Sequence, residues 1–118
     1  MGFGSFMRVR VGLQLLIVCS LFCVSLLGCR SAEPHSVTLK WDPPQASPAS
    51  RGTSIAAYNI YRSTTPSDGY VKLASGVSGP PFEDRLVTSG RTYYYVVTAV
   101  DSKGRESQFS REARAVIP

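Results

Sequence analysis

Beyond Cys29, this 118-residue chain contains no cysteine. The body therefore cannot form an internal disulfide or build a thiolate metal site. Cys19, Cys23 and Cys29 all lie in or at the end of an apolar stretch, at spacings that match no standard zinc pattern. Histidine is nearly as scarce. His35 is the single one, beside Pro34, and it reads as a solvated linker residue rather than the held base of a Ser-His-Asp set. There is no glycine-rich phosphate loop; Gly52, Gly69, Gly79, Gly90 and Gly104 each stand in a turn signal. Glu83 and Asp84 are adjacent, so a strand would send them to opposite faces and they cannot form a carboxylate pair. Asp42, Asp68 and Asp101 flank turns, where they cap backbone N–H groups. These absences predict no catalytic group, no metal and no cofactor.

Charge of one sign is missing from the start of the chain. Residues 1–28 carry only Arg8 and Arg10; all eight acids and the remaining Lys and Arg lie from Cys29 onward. The pI of about 9.4 comes from scattered residues rather than a stripe, so nucleic acid is not an expected partner. Residues 29–118 suffice for one domain with a modest core and leave no room for a deep cleft between subdomains.

The first 28 residues read as an export leader. Arg8 and Arg10 make a positive start, and Val11 to Leu27 is an apolar run interrupted by Gly12, Gln14, Ser20 and Ser25. Met7, directly before Arg8-Val9-Arg10, is a more ordinary start than Met1, which would make residues 1–6 an extension. Phe6 stands where a myristoylation signal needs Ser or Thr. Ser25-Leu26-Leu27-Gly28-Cys29 resembles the lipobox of bacterial lipoproteins. The resemblance implies cleavage between Gly28 and Cys29, a diacylglyceryl group on the Cys29 thiol and acylation of the freed amine. Lipid chains contribute about 0.8 kcal/mol per buried methylene, so two or more anchor stably. It implies a cell-envelope location on the extracytoplasmic side; Arg30, not Asp, follows Cys29, which implies the outer membrane where a cell has one. The alternatives are an uncleaved transmembrane anchor, for which the run is at the lower length limit, and ordinary secretion, for which no Ala-x-Ala site is present.

The chain is thus divided into a leader over 1–28, a lipid-bearing linker over 29–35 and a domain over 36–118. The domain shows strand periodicity and no helical pattern. Ser36 to Trp41 alternates strictly, with Val37, Leu39 and Trp41 on one face. Residues 42–54 are a Pro-, Ser- and Gly-rich loop. Strands follow over Tyr58–Arg62, with Tyr58 and Ile60 inward, over Tyr70–Ala74, within Phe82–Val87, over Thr92–Val100 and within 111–117. Short strands with a turn signal about every ten residues predict an all-β antiparallel sandwich.

The order of these motifs resembles the fibronectin type III fold, an immunoglobulin-like sandwich, in the form found in bacterial extracellular proteins. Ser36 to Trp41 is similar to strand B with its core Trp, and Tyr58 to Ser63 to strand C. Val87, Gly90 and Tyr93 match the approach to strand F. The resemblance implies a tyrosine corner at Tyr93 and an inward side of Tyr95, Val97 and Ala99. It also implies a strand A, for which only residues 30–35 are left. The expectation is a short or absent strand A, with strand B either an open edge or sealed by residues 30–35. Six core residues are expected: Trp41, Tyr58, Ile60, Tyr93, Tyr95 and Val97.

Two surfaces are candidates for binding. Arg51 in the long loop after strand B, with Lys103 and Arg105 in the turn after strand F, would make one pole basic and suited to an acidic glycan or protein. The outward face of strands C and F, with Tyr61, Tyr94, Val96 and Thr98, could stack on a sugar or a partner; the other reading is cross-strand pairs that stabilise the sheet. The reading reached from sequence is a non-enzymatic envelope lipoprotein that interacts with protein or glycan. Its alternative is a structural spacer held by an uncleaved anchor. Oligomeric state is left open.

Overall fold

The computed structural model describes residues 7–15, 34–44 and 54–118. Among the described residues are seven strands: β1 (Val9–Leu15), β2 (His35–Trp41), β3 (Ile55–Ser63), β4 (Val71–Val77), β5 (Phe82–Asp84), β6 (Thr92–Asp101) and β7 (Ala113–Val116). They form two antiparallel sheets, ordered β1-β2-β5 and β4-β3-β6-β7. Both sheets turn their alternate residues inward. Val37, Leu39 and Trp41 from β2 meet Tyr58 and Ile60 from β3, Tyr93, Tyr95, Val97 and Ala99 from β6, and Ala115 and Ile117 at the chain end; all are buried. Trp41 and Tyr58 meet edge to face at 5.3 Å, as aromatic quadrupoles favour.

The edge of β2 is where sequence and structure part. The sequence predicts a strand that is open on that side or closed by residues 30–35. Instead β1 covers it, with a register running from Val9↔Trp41 to Leu15↔His35. The physical reason is the pattern Val9-Arg10-Val11-Gly12-Leu13-Gln14-Leu15, a strict two-residue alternation. Val9 and Val11 pack on the core, Met7 is buried beside them, and Arg8 and Arg10 face outward. Gly12 and Gln14, which look like breaks in one apolar run, are the alternate positions of a strand. The other boundaries differ by a few residues: β4 extends to Val77, and β5 ends at Asp84.

Ahead of β6 the chain turns sharply. The Thr88 N–H donates to the Tyr93 hydroxyl at 3.0 Å, and the Gly90 N–H donates to the Ile117 carbonyl at 3.0 Å. Gly90 has φ 77°, a conformation costly for any residue with a Cβ. Tyr93→Phe keeps the ring and removes the acceptor, leaving the Thr88 N–H unpaired. The expected loss is about 1 kcal/mol, read as a lower urea midpoint; an unchanged midpoint would show that the hydroxyl holds nothing.

One polar cluster bridges the sheets. Asp84 has a side chain 1% exposed. Its Oδ2 accepts from Arg62 at 2.8 Å and from the Tyr95 hydroxyl at 2.8 Å, and its Oδ1 accepts from the Leu86 N–H at 2.9 Å. Arg62 also donates to the Leu86 carbonyl and lies 5.1 Å above the Tyr93 ring. Burial, followed by the Asp84 carboxylate, pushes the Tyr95 phenol far up, so it stays a donor. Glu83 points the other way, to Arg85 at 2.9 Å.

Candidate functional site

The outward face of the four-stranded sheet is built by β3, β4, β6 and the segment between the β6–β7 turn and β7. That segment runs along β6 without being a regular strand. The N–H groups of Ser107 and Ser110 donate to the carbonyls of Ala99 and Val97. Their hydroxyls accept the N–H groups of the same two residues, each at 2.9 Å. Two serines thus complete the β6 ladder with side chains. This carries Glu106 and Phe109 onto the face.

Glu106 Oε1 gathers three donors: Thr98 Oγ1 at 2.6 Å, Asn59 Nδ2 at 3.1 Å and the Tyr61 hydroxyl. The Thr98 and Tyr61 hydrogen bonds hold its carboxyl below the usual range, against partial burial. Burial and the same carboxylate push the Tyr61 phenol up. Lys72 lies 5.5 Å from the centre of the Tyr61 ring. The Phe109 ring sits 5.0 Å from Tyr61 and 5.4 Å from Tyr70, and is 52% exposed. Tyr70 donates its hydroxyl to Glu112, which also accepts the Ser67 N–H at 2.7 Å. Burial and Glu112 push the Tyr70 phenol up to about 12. The result is three linked aromatic rings with Glu106 on one side and Glu112 on the other.

Of the residues expected on this face from sequence, Tyr61 is at its centre. Val96 and Thr98 are a correction: both are buried, at 2% and 1% exposure. Thr98 is tied under Glu106, and Val96 pairs with Tyr61, so neither offers contact surface. Tyr94 is half-buried and lies opposite Ser63 on one side and Arg114 on the other. Tyr70, Phe109, Glu106 and Glu112 escape a reading by period, because each stands in or beside irregular chain.

The basic pole is only partly described. The Ser102 N–H donates to the Ser54 carbonyl at 2.9 Å, which places the β6–β7 turn beside the end of the β2–β3 loop. Arg51 lies outside the described residues. Arg105 gives its Nε to Asp101 at 2.7 Å, so its charge is already matched, and Lys103 is exposed. Burial pushes the Asp101 carboxyl up, but the N–H groups of Arg105 and Lys103 and the Arg105 guanidinium outweigh it and hold it below its ordinary value. Cys29, the residue expected to bear lipid, also lies outside the described residues. Among the described residues, no three His, Cys, Asp or Glu side chains come together as a metal site would require.

No family model matches the chain. It is 46% identical over 61 residues to an amylopullulanase of Thermoanaerobacterium saccharolyticum, covering 52% of this chain and 5% of that enzyme. It is 49% identical over 59 residues to an amylopullulanase of Thermoanaerobacter thermohydrosulfuricus, covering 50% and 4%. The chain thus spans about a twentieth of the length of the curated relatives it matches. Among solved structures, an Fn3-like protein from Clostridium thermocellum superposes with a TM-score of 0.57 at 32% identity, over 70% of this chain and 77% of that one. A β-1,2-glucanase from Parabacteroides distasonis gives 0.55 at 30% identity, over 70% of this chain and 11% of the enzyme. Titin module A71 from human cardiac muscle gives 0.59 at 26% identity, over 70% and 78%.

Proposed function

Because the chain belongs to the fibronectin type III-like family, we propose that it is a non-catalytic glycan-binding module of the cell envelope, anchored by lipid on Cys29. The observation that carries the glycan reading is the exposed Phe109 ring joined to Tyr61 and Tyr70, with the Glu106 and Glu112 carboxylates at either side. Aromatic faces take the apolar side of a sugar ring, and neighbouring carboxylates accept its hydroxyls. The relatives support the same direction, since segments like this one sit inside amylopullulanases and a β-1,2-glucanase. The chemistry of those enzymes belongs to their much longer chains. Here both carboxylates are held by phenols, and the lone histidine opens β2 on the other sheet.

The lipid reading rests on Leu26-Leu27-Gly28-Cys29 after a long apolar run. The alternative is an uncleaved anchor over the same apolar run; pairing of Val9–Leu15 with β2 draws on the start of that run in either reading.

Two measurements test this. Retention on amylose, pullulan and isolated cell envelopes should fall about 5–10-fold in Phe109→Ala and Tyr61→Ala. Thermal midpoints of the Phe109 variant should move little, because that ring is half exposed. Equal retention of wild type and variants, or none on any of the three, removes the glycan reading. Intact mass of wild type beside Cys29→Ser tests the anchor: wild type should lose residues 1–28 and gain lipid mass, and the variant should keep its full length.

A further inference from the structure

The three rings of the Phe109 face do not share a plane. Phe109 stands at 63° to Tyr61 and at 60° to Tyr70, with ring centres 5.0 and 5.4 Å apart. Each ring comes from a different stretch of chain: Tyr61 from β3, Tyr70 from the residue before β4, and Phe109 from the segment held on β6 by Ser107 and Ser110. Tyr61 and Tyr70 are pinned at their hydroxyls by Glu106 and Glu112, so the tilt is set before any ligand arrives. Phe109 is the most open of the three. Tyr61 and Tyr70 are half-buried, and each leaves part of a ring beside it.

A sugar stacks with its ring parallel to an aromatic face. In a β-1,4-linked glucan successive sugars lie nearly in one plane, and such a ribbon can lie on one of these rings but not on its tilted neighbour. In an α-1,4-linked glucan successive sugars are inclined and the chain curves, so two of them can each meet a differently tilted ring. The spacing of the ring centres is about the length of one sugar residue. Charge narrows the class further. Carboxylates stand on both sides of the rings, Glu106 beside Tyr61 and Glu112 beside Tyr70. Lys72, opposite Tyr61 in the register, already acts on Glu106 by its charge. A chain that carried carboxylates of its own would meet like charge here.

We propose that the ligand of this face is a neutral, curved glucan of the α-1,4-linked type, with one sugar on Phe109 and the next on Tyr61 or Tyr70. This rests on the glycan reading.

The test is titration calorimetry of the full chain with three probes of equal length: maltohexaose, cellohexaose and hexagalacturonate. Maltohexaose should bind at least tenfold more tightly than cellohexaose, and hexagalacturonate should give no heat. Phe109→Ala should weaken maltohexaose about 5–10-fold, and so should at least one of Tyr61→Ala and Tyr70→Ala; thermal midpoints report that each variant is folded. A ratio under tenfold, or one that favours cellohexaose, overturns the curved chain and leaves the glycan reading standing. Hexagalacturonate binding as tightly as maltohexaose overturns the neutral chain in the same way. Maltohexaose affinity that is unchanged in Phe109→Ala, or in both tyrosine variants, overturns the inference because the ligand then does not span two tilted rings. No heat with any probe removes the glycan reading itself, and the inference with it.

Discussion

Asp84→Ala is expected to cost the domain about 3–5 kcal/mol, the cost of removing one partner from a buried ion pair. The carboxylate holds three donors from three parts of the chain: Arg62 on β3, Tyr95 on β6 and the Leu86 N–H just after β5. Alanine leaves a buried phenol and an N–H without acceptors and leaves a guanidinium, only 25% exposed, beside an apolar core. The phenol, fully buried, has lost its hydration on folding and recovers none of it. In urea the midpoint should fall by roughly 3–5 M, taking a slope near 1 kcal/mol/M. Tyr95→Phe should cost far less, because it removes one donor and leaves the ion pair intact. Combining Asp84→Ala with Arg62→Met should recover part of the loss, since the second change deletes the stranded charge. A loss below about 1 kcal/mol for Asp84→Ala would mean that the cluster tolerates opening to water and does not bind the sheets together.

Glu106→Ala is expected to cost about 2 kcal/mol and to change the pH dependence of stability. One carboxylate oxygen serves Asn59, Thr98 and Tyr61, and Asn59 and Thr98 are buried. The folded protein holds this carboxyl below its ordinary value. Below the unfolded pKa, near 4.3, the unfolded chain therefore binds more protons at this group than the folded one. The stabilisation is complete above that pH and is lost as pH falls through the folded pKa. Wild type should weaken on acidification below about pH 4.5. Glu106→Gln, which cannot titrate, should start lower and show a shallower fall over the same range. Denaturation curves at several pH values between 3 and 7 decide it, and parallel profiles for wild type and Glu106→Gln would remove this carboxylate as the source.

Most of the sandwich is legible because it is written in period two. Val37, Leu39 and Trp41, or Tyr93, Tyr95, Val97 and Ala99, announce a half-buried strand whatever lies around them. The strand of residues 9–15 is written the same way but runs without a break into Leu16-Ile17-Val18, so its alternation is submerged in a longer apolar run. Asp84 looks like the mate of Glu83. Its burial depends on Arg62 and Tyr95, which the topology alone brings to it. The aromatic face was half visible: Tyr61 sits on a regular strand, whereas Phe109 is delivered by a segment held through serine hydroxyls, a pattern with no period to detect.

Those serine hydroxyls have a consequence for how copies of the domain can stack. A growing fibre needs two adhesive rims on every subunit, one to receive and one to offer. Along β6 the rim is closed by Ser107 and Ser110 and then by the four residues of β7. The opposite rim, β4, is broken by register shifts against β3, and β5 is only three residues long; short and bulged strands make poor templates. Among the described residues, β1 is the longest edge strand without a register shift; one such rim allows two copies to pair edge to edge and does not extend into a polymer.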